Sequence, residues 1–252
     1  MAATGRQHHI HLAQEHAARY ALLPSDPAHS QMIAAHLKNA ELVAQNREFE
    51  SWRGYLAGEP VLVTSTGVGG PSTALAVEEL RAVGVDTFVR LGVSLTLQPF
   101  VRTGDLALAV GAIRDEGTTR QYLPVEYPAV AAPDVTDALR SAAAALGATH
   151  HVGVVHTKDS YYGEVEPDRM PMAAELRSRL EMWATAGVLC SEMEMAAVLT
   201  VARALGANAG GVVMMWGEDV DPARPPSLST LHRTGVGAVE LLIEHAARLA
   251  SC

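Results

Sequence analysis

Cysteine is scarce: Cys190 and Cys252 are the only two in 252 residues. That excludes a disulfide framework and any cysteine-based metal centre, and it points to a reducing compartment. Long apolar runs are missing too. No stretch approaches the roughly eighteen consecutive apolar residues that a spanning helix needs. The polar, His-rich opening from Met1 to Gln14 lacks the apolar core of a signal peptide. The expectation is a soluble, cytoplasmic protein with no membrane partner. Positive charge is in deficit, with 19 Lys and Arg against 28 Asp and Glu and a net charge of −9. Nucleic acid and anionic membranes both demand a basic surface, so neither is expected as a partner, whereas a small anion in a locally basic pocket is compatible. No linker, repeat or low-complexity block stands out, so residues 1–252 read as a single domain.

What remains is an ordinary globular balance, 48% hydrophobic and 19% charged. Short β-rich runs alternate with helical patterns, which is the α/β signature. Strands are expected at 20–23, 87–91, 106–110, 152–156 and 211–216, and a hairpin at 47–56 and 61–65. Helices are expected at 72–83, 134–146 (with Asp134 as N-cap), 192–205 and 227–250. Ligands of such sheets bind beyond the carboxyl ends of strands. That directs attention to the loops after Leu23, Leu91, His156 and Trp216, and to the helix start at Glu192.

Three patterns carry candidate chemistry. Gly67-Val68-Gly69-Gly70 joins a strand to a helix. It fits neither dinucleotide nor Walker spacing, so a tight turn with close backbone approach is favoured over a phosphate cradle. Arg90 sits in an otherwise apolar strand. A buried guanidinium needs a carboxylate or a bound anion, and spacing alone leaves the two equal. Glu192 and Glu194 sit at an expected helix start. There the dipole alone accounts for acidic residues, and positions two apart do not share a helix face. His8, His9 and His11 are expected to be a solvated tract, since nothing else supplies metal-ligand spacing.

Read together, several segments resemble the uridine phosphorylases of the nucleoside phosphorylase superfamily. They include Arg47-Glu48-Phe49, Ser65 to Ser72, Ala76-Val77-Glu78-Glu79-Leu80, Leu97-Gln98-Pro99, Pro124 to Val130 and Ser191-Glu192-Met193-Glu194. The resemblance spans nearly the whole chain. It implies an α/β fold with a mixed central sheet flanked by helices, and a homo-oligomer, a dimer or a hexamer built from dimers. It implies phosphorolysis of a pyrimidine-type or modified nucleoside to free base and ribose 1-phosphate, with phosphate as co-substrate and no resident organic cofactor. Residue by residue, it implies Arg90 on phosphate from its own chain, Arg47 on phosphate from a neighbouring subunit, and His9 from that neighbour near the ribose 5′-hydroxyl. Glu192, Met193 and Glu194 fall in the ribose-binding segment, with Glu194 on the 2′-hydroxyl. Tyr161 and Trp216 are expected among the substrate-binding residues, and Arg169 is expected to serve the base. Glu48, Val68 and Ser72 match positions that hold a monovalent cation such as K⁺ at the dimer interface.

The departures are equally specific. Ser25 replaces a glycine of the phosphate loop, and His29 replaces its arginine, exchanging a permanent cation for one mostly neutral near pH 7. Val93 removes a hydroxyl from the Gly92-Val93-Ser94-Leu95 segment, and Leu95 narrows the base pocket. Glu164 stands where a glutamine reads uracil. Unmodified uridine is therefore expected to be a poor substrate, and a base with an exocyclic amine a better one. Phosphate affinity is expected to be weak and to fall as His29 loses its proton. Two alternatives stay open: a relative that uses water, with His29 activating it, and a nucleoside-binding member without catalysis.

Overall fold

The computed structural model describes residues 5–216 and 227–250. Cys252 lies outside them. Among the described residues the strands are β1 (Tyr20–Pro24), β2 (Lys38–Asn46), β3 (Phe49–Leu56), β4 (Glu59–Thr64), β5 (Thr87–Thr96), β6 (Leu106–Asp115), β7 (Ala129–Val130), β8 (His150–Lys158), β9 (Cys190–Glu192) and β10 (Asn208–Met215). The α-helices are α1 (Pro27–Ala34), α2 (Gly70–Ala82), α3 (Pro133–Ala145), α4 (Tyr161–Val165), α5 (Ala173–Thr185), α6 (Met195–Ala204) and α7 (Ser229–Ala250).

The sheet is mixed, and part of it closes on itself. Strand β5 pairs with β10 in parallel and with β9 in antiparallel fashion. Strand β9 continues to β8, β8 to β6, and β6 back to β10. The other side of β5 carries a wing in the order β1, β4, β3, β2. Closure removes the open edges these strands would otherwise present. Alternate side chains of β1, β4 and β5 feed two cores. One packs Leu23, Leu62 and Phe88 against α2 and α6 through Val77, Leu80, Val198 and Leu199. The other packs Leu22, Val63 and Val89 against α1, α3 and α7 through Ile33, Leu139 and Val239. Burial on both faces explains why these strands read as continuous apolar runs.

Several boundaries differ from the sequence reading. Strand β5 does not stop at Gly92. It runs on to Thr96 because β10 and β9 extend its ladder, with Met215 opposite Ser94 and Ser191 opposite Leu95. Strands β6 and β8 likewise extend to Asp115 and Lys158 through mutual parallel pairing. Asp134 is not the cap of α3. Ala132 occupies that position, and Asp134 lies in the first turn, where its charge still suits the dipole. Helix α6 begins at Met195 rather than Glu192, because Cys190–Glu192 is drawn into the sheet between β5 and β8. Helix α1, which no sequence pattern had marked, is capped by Asp26, whose Oδ1 accepts from the Ala28 amide at 2.8 Å. Proline opens it at Pro27, a position that needs no amide donor.

Candidate active site

At the carboxyl ends of β1, β5, β8, β9 and β10 lies a cavity of about 450 Å³. Its floor is Arg90, 1% exposed and opposite Leu23 of β1 and Gly211 of β10. The Arg90 Nε donates to Glu192 Oε2 at 3.1 Å, and Nη2 donates to Glu194 Oε2. Nη1 is buried with no partner among the described residues. Burial opposes the guanidinium charge, but Glu194 and Glu192 outweigh it and raise the Arg90 pKa above its ordinary value. Gly92 makes room for this group: a Cβ there would sit 2.8 Å from Nη2.

The sequence reading allowed only one of Glu192 and Glu194 into the pocket. Both reach it. Glu192 ends a strand and Glu194 occupies the N-cap position of α6, so the helical spacing rule does not apply between them. Glu192 is locked from behind by the amides of Glu194 and Met195 and by Thr157 Oγ1, at 2.5–2.9 Å. Glu194 Oε1 accepts from the Gly69 amide at 2.6 Å. Burial first, and Glu192 after Arg90, act on Glu194, and the net direction is upward. The glycine turn thus serves as expected, as a close approach. Gly67 and Gly69 take positive φ of 71° and 92°, and the Gly69 amide holds a carboxylate instead of a phosphate.

Ser25, His29, Val68, Val93, Ser94, Leu95, Tyr161, Glu164, Met193 and Trp216 also line this cavity. The Ser94 hydroxyl is engaged with the Ser191 carbonyl at 2.6 Å. His29 stands 5.6 Å, ring centre to ring centre, from His232 on α7. Burial, then His29 and His36, lower the His232 pKa to about 4. Three lining residues were not anticipated: Lys158, Ser191 and Leu228. Lys158 is two residues beyond His156 on β8, the same strand face, and recognising the strand's true length would have found it. Its Nζ lies 3.0 Å from Glu164 Oε1 and donates to Ser191 Oγ at 3.0 Å. Glu164 Oε2 accepts from Ser191 Oγ. Glu164 therefore does not present a bare carboxylate to the cavity: both of its oxygens are partnered, and an ammonium offsets its charge.

Other expected residues lie elsewhere on this chain. Arg169 is exposed, paired with Glu166 and set over the Tyr162 ring, outside the cavity lining. It ends a 3-10 turn, Pro167–Arg169, that follows α4. His9 is held on Glu79, with Nδ1 at 2.7 Å from Oε1 and the backbone amide at 2.9 Å from Oε2. Arg47 is exposed in the β2–β3 turn with φ 54°. Neither lines the cavity of its own chain. Glu48 packs against the Gly67 turn, and Ser72 Oγ donates to the Val68 carbonyl at 3.1 Å, so these three expected cation ligands are neighbours.

A model of the phosphorylase superfamily matches residues 19–249. The chain belongs to that superfamily. It is 41% identical over 246 residues to a uridine phosphorylase of Treponema pallidum, covering 95% of both chains. It is 38% identical to the uridine phosphorylase of Escherichia coli, covering 92% of both. A guanosine phosphorylase of Halorubrum lacusprofundi is 37% identical, over 82% of this chain and 81% of the relative. No helix among the described residues is long and apolar enough to cross a membrane.

Proposed function

We propose that this protein cleaves the N-glycosidic bond of a nucleoside by phosphorolysis, releasing free base and ribose 1-phosphate. The observation that carries the reading is Arg90, buried at the cavity floor with one nitrogen unpartnered and aligned by two carboxylates. Its relatives are phosphorylases of uridine and of guanosine. Phosphate sits against Arg90 and His29, and ribose hydroxyls donate to Glu194, whose position the Gly69 amide fixes. As the bond to the base lengthens, positive charge grows on the sugar between these anions, and phosphate attacks C1′. The base occupies the end formed by Leu95, Tyr161, Glu164 and Trp216.

Among the described residues the floor is poor in cations, with one guanidinium facing two carboxylates. Phosphate needs more positive charge than that, so we place the protein in a homo-oligomer, a dimer or a hexamer of dimers, in which Arg47 and His9 complete a neighbour's cavity. Glu48, Val68 and Ser72 offer the hard oxygen donors that suit a K⁺ ion beside that interface. The expected compartment is the cytoplasm. The same shortage of cations favours hydrolysis as the second reading. Incubation with a panel of pyrimidine and purine nucleosides, with and without phosphate, tests both. Base release that requires phosphate supports phosphorolysis, release without it supports hydrolysis, and no release from any nucleoside overturns both.

A further inference from the structure

Behind the base end of the cavity runs a buried chain of hydrogen bonds. Arg179 donates to Asp115 Oδ1, and Asp115 Oδ2 faces His156 Nε2 at 3.1 Å. His156 Nδ1 lies 2.9 Å from Ser191 Oγ, which in turn meets Glu164 Oε2 and Lys158 Nζ. Asp115, His156, Lys158 and Glu164 also line a second cavity, of about 200 Å³, with Asp159 and Arg179. Lys158 and Glu164 line both cavities and so form the wall between them.

One arrangement of protons makes every hydrogen bond of this chain. A serine hydroxyl has one proton to give. With Glu164 ionised beside Lys158, that proton goes to Glu164. Lys158 can only donate, so the remaining Ser191 lone pair receives the Nδ1 proton of His156. Asp115 pairs with Arg179 through one oxygen and faces His156 Nε2 with the other, so in this arrangement Nε2 carries a proton as well. In that arrangement both ring nitrogens of His156, 5% exposed, donate. A single concerted shift, His156 to Ser191 and Ser191 to Glu164, leaves a neutral imidazole, an intact serine and a glutamic acid at the wall of the base cavity.

We propose that this chain is a proton relay that makes Glu164 the acid for the departing base. The proposal rests on the phosphorolytic reading. While the nucleoside is intact, Lys158 pairs with Glu164. As the C1′–N bond breaks, its electron pair passes to the base, and the growing negative charge beside Glu164 raises the carboxylate's proton affinity. The proton moves up the chain and on to the base, which leaves neutral. Glu164 is again a carboxylate, and His156 has lost one proton. Solvent restores it through the second cavity, where Asp115 and His156 are reached without passing the sugar site. Glu164 is the catalytic group here. Ser191, His156 and Asp115 act through it.

The test is how strongly turnover depends on the acidity of the leaving base, measured with phosphate on uridine and its 5-fluoro and 5-nitro derivatives. A base that leaves protonated gains little from being more acidic, so the wild-type dependence should be shallow. Glu164→Ala and Ser191→Ala each break the relay. Each should lower turnover of uridine about 100-fold, in the range ascribed to general acids, with the deficit shrinking steadily toward the most acidic base. The double variant should be no worse than either single one, because one path is removed only once. A wild-type dependence as steep as that of the variants overturns the relay. So do variant activities reduced by the same factor on every base, which would mean structural roles only. Failure of the wild type to cleave any nucleoside of the pyrimidine and purine panel with phosphate is a different result: it overturns the proposed function, and the relay with it, whereas phosphorolysis of purine nucleosides alone overturns the relay and leaves the proposed function standing.

Discussion

Arg90 shows how a single glycine can decide a site. The guanidinium is held by Glu192 and Glu194, yet it fits only because Gly92 has no side chain on that face of β5. A Cβ at position 92 would approach Nη2 to 2.8 Å and Cζ to 3.1 Å. The guanidinium is the softer partner, being the far end of a long side chain, so Gly92→Ala should displace it and leave the strand in place. A displacement of this size at a charge-positioning group costs about 100-fold in rate. We expect kcat/KM for phosphorolysis to fall by about that factor while the thermal midpoint moves by only a few degrees. A variant with unchanged activity would mean that Arg90 retains its function in a second position.

At the scale of elements, helix α7 places His232 against α1, beneath His29 and the phosphate end of the cavity. His232 is buried, and its Nε2 has no partner. Burial, with His29 and His36 adding to it, brings its pKa from 6.5 to about 4. The unfolded chain therefore takes up a proton as pH falls through 6.5, while the folded chain does not until about 4. Stability contributed by keeping this histidine neutral is fully present above that window and is lost progressively through it. Thermal midpoints should decline between those two pH values, and His232→Leu should flatten the decline. An unchanged slope in the variant would assign the acid sensitivity to other groups. Elements were also where the sequence was hardest to read. Arg90 and Trp216 were legible from a guanidinium in an apolar strand and from the end of another, whereas Glu194 and Leu95 were marked only by the family resemblance. Lys158 and Ser191 were not, because a polar strand end has no periodic signature and is held in the sheet only by its neighbours' ladders. The joint grip of Glu192 and Glu194 on Arg90 was hidden for the same reason: a three-residue strand, β9, looks like the first turn of the helix that follows it. Closure of β5, β10, β6, β8 and β9 into a ring depends on long-range pairings that local pattern does not encode.

For the molecule as a whole, the open question is where the missing positive charge comes from. Arg90 is outnumbered by the two carboxylates that align it, and among the described residues His29 is the other basic side chain at that end of the cavity. Arg47 is exposed at the β2–β3 turn, in a left-handed conformation that projects the turn from the body of the sheet, and it lies outside its own cavity. If it serves a neighbour, each site takes Glu194 from one subunit and Arg47 from another. Arg47→Ala and Glu194→Gln should then each be nearly inactive alone, whatever the oligomer. Mixing them under conditions that exchange subunits separates the possibilities. In a mixed dimer with isologous symmetry, one site carries both changes and the other carries neither. Random exchange of equal amounts should restore activity to about a quarter of the wild-type value, since about half the dimers are mixed and half of their sites are intact. If Arg47 acted within its own chain, every site would keep one lesion, and no activity would return on mixing. Recovery with a monomeric species on light scattering would contradict the shared site just as directly, because no partner would be present to complete it.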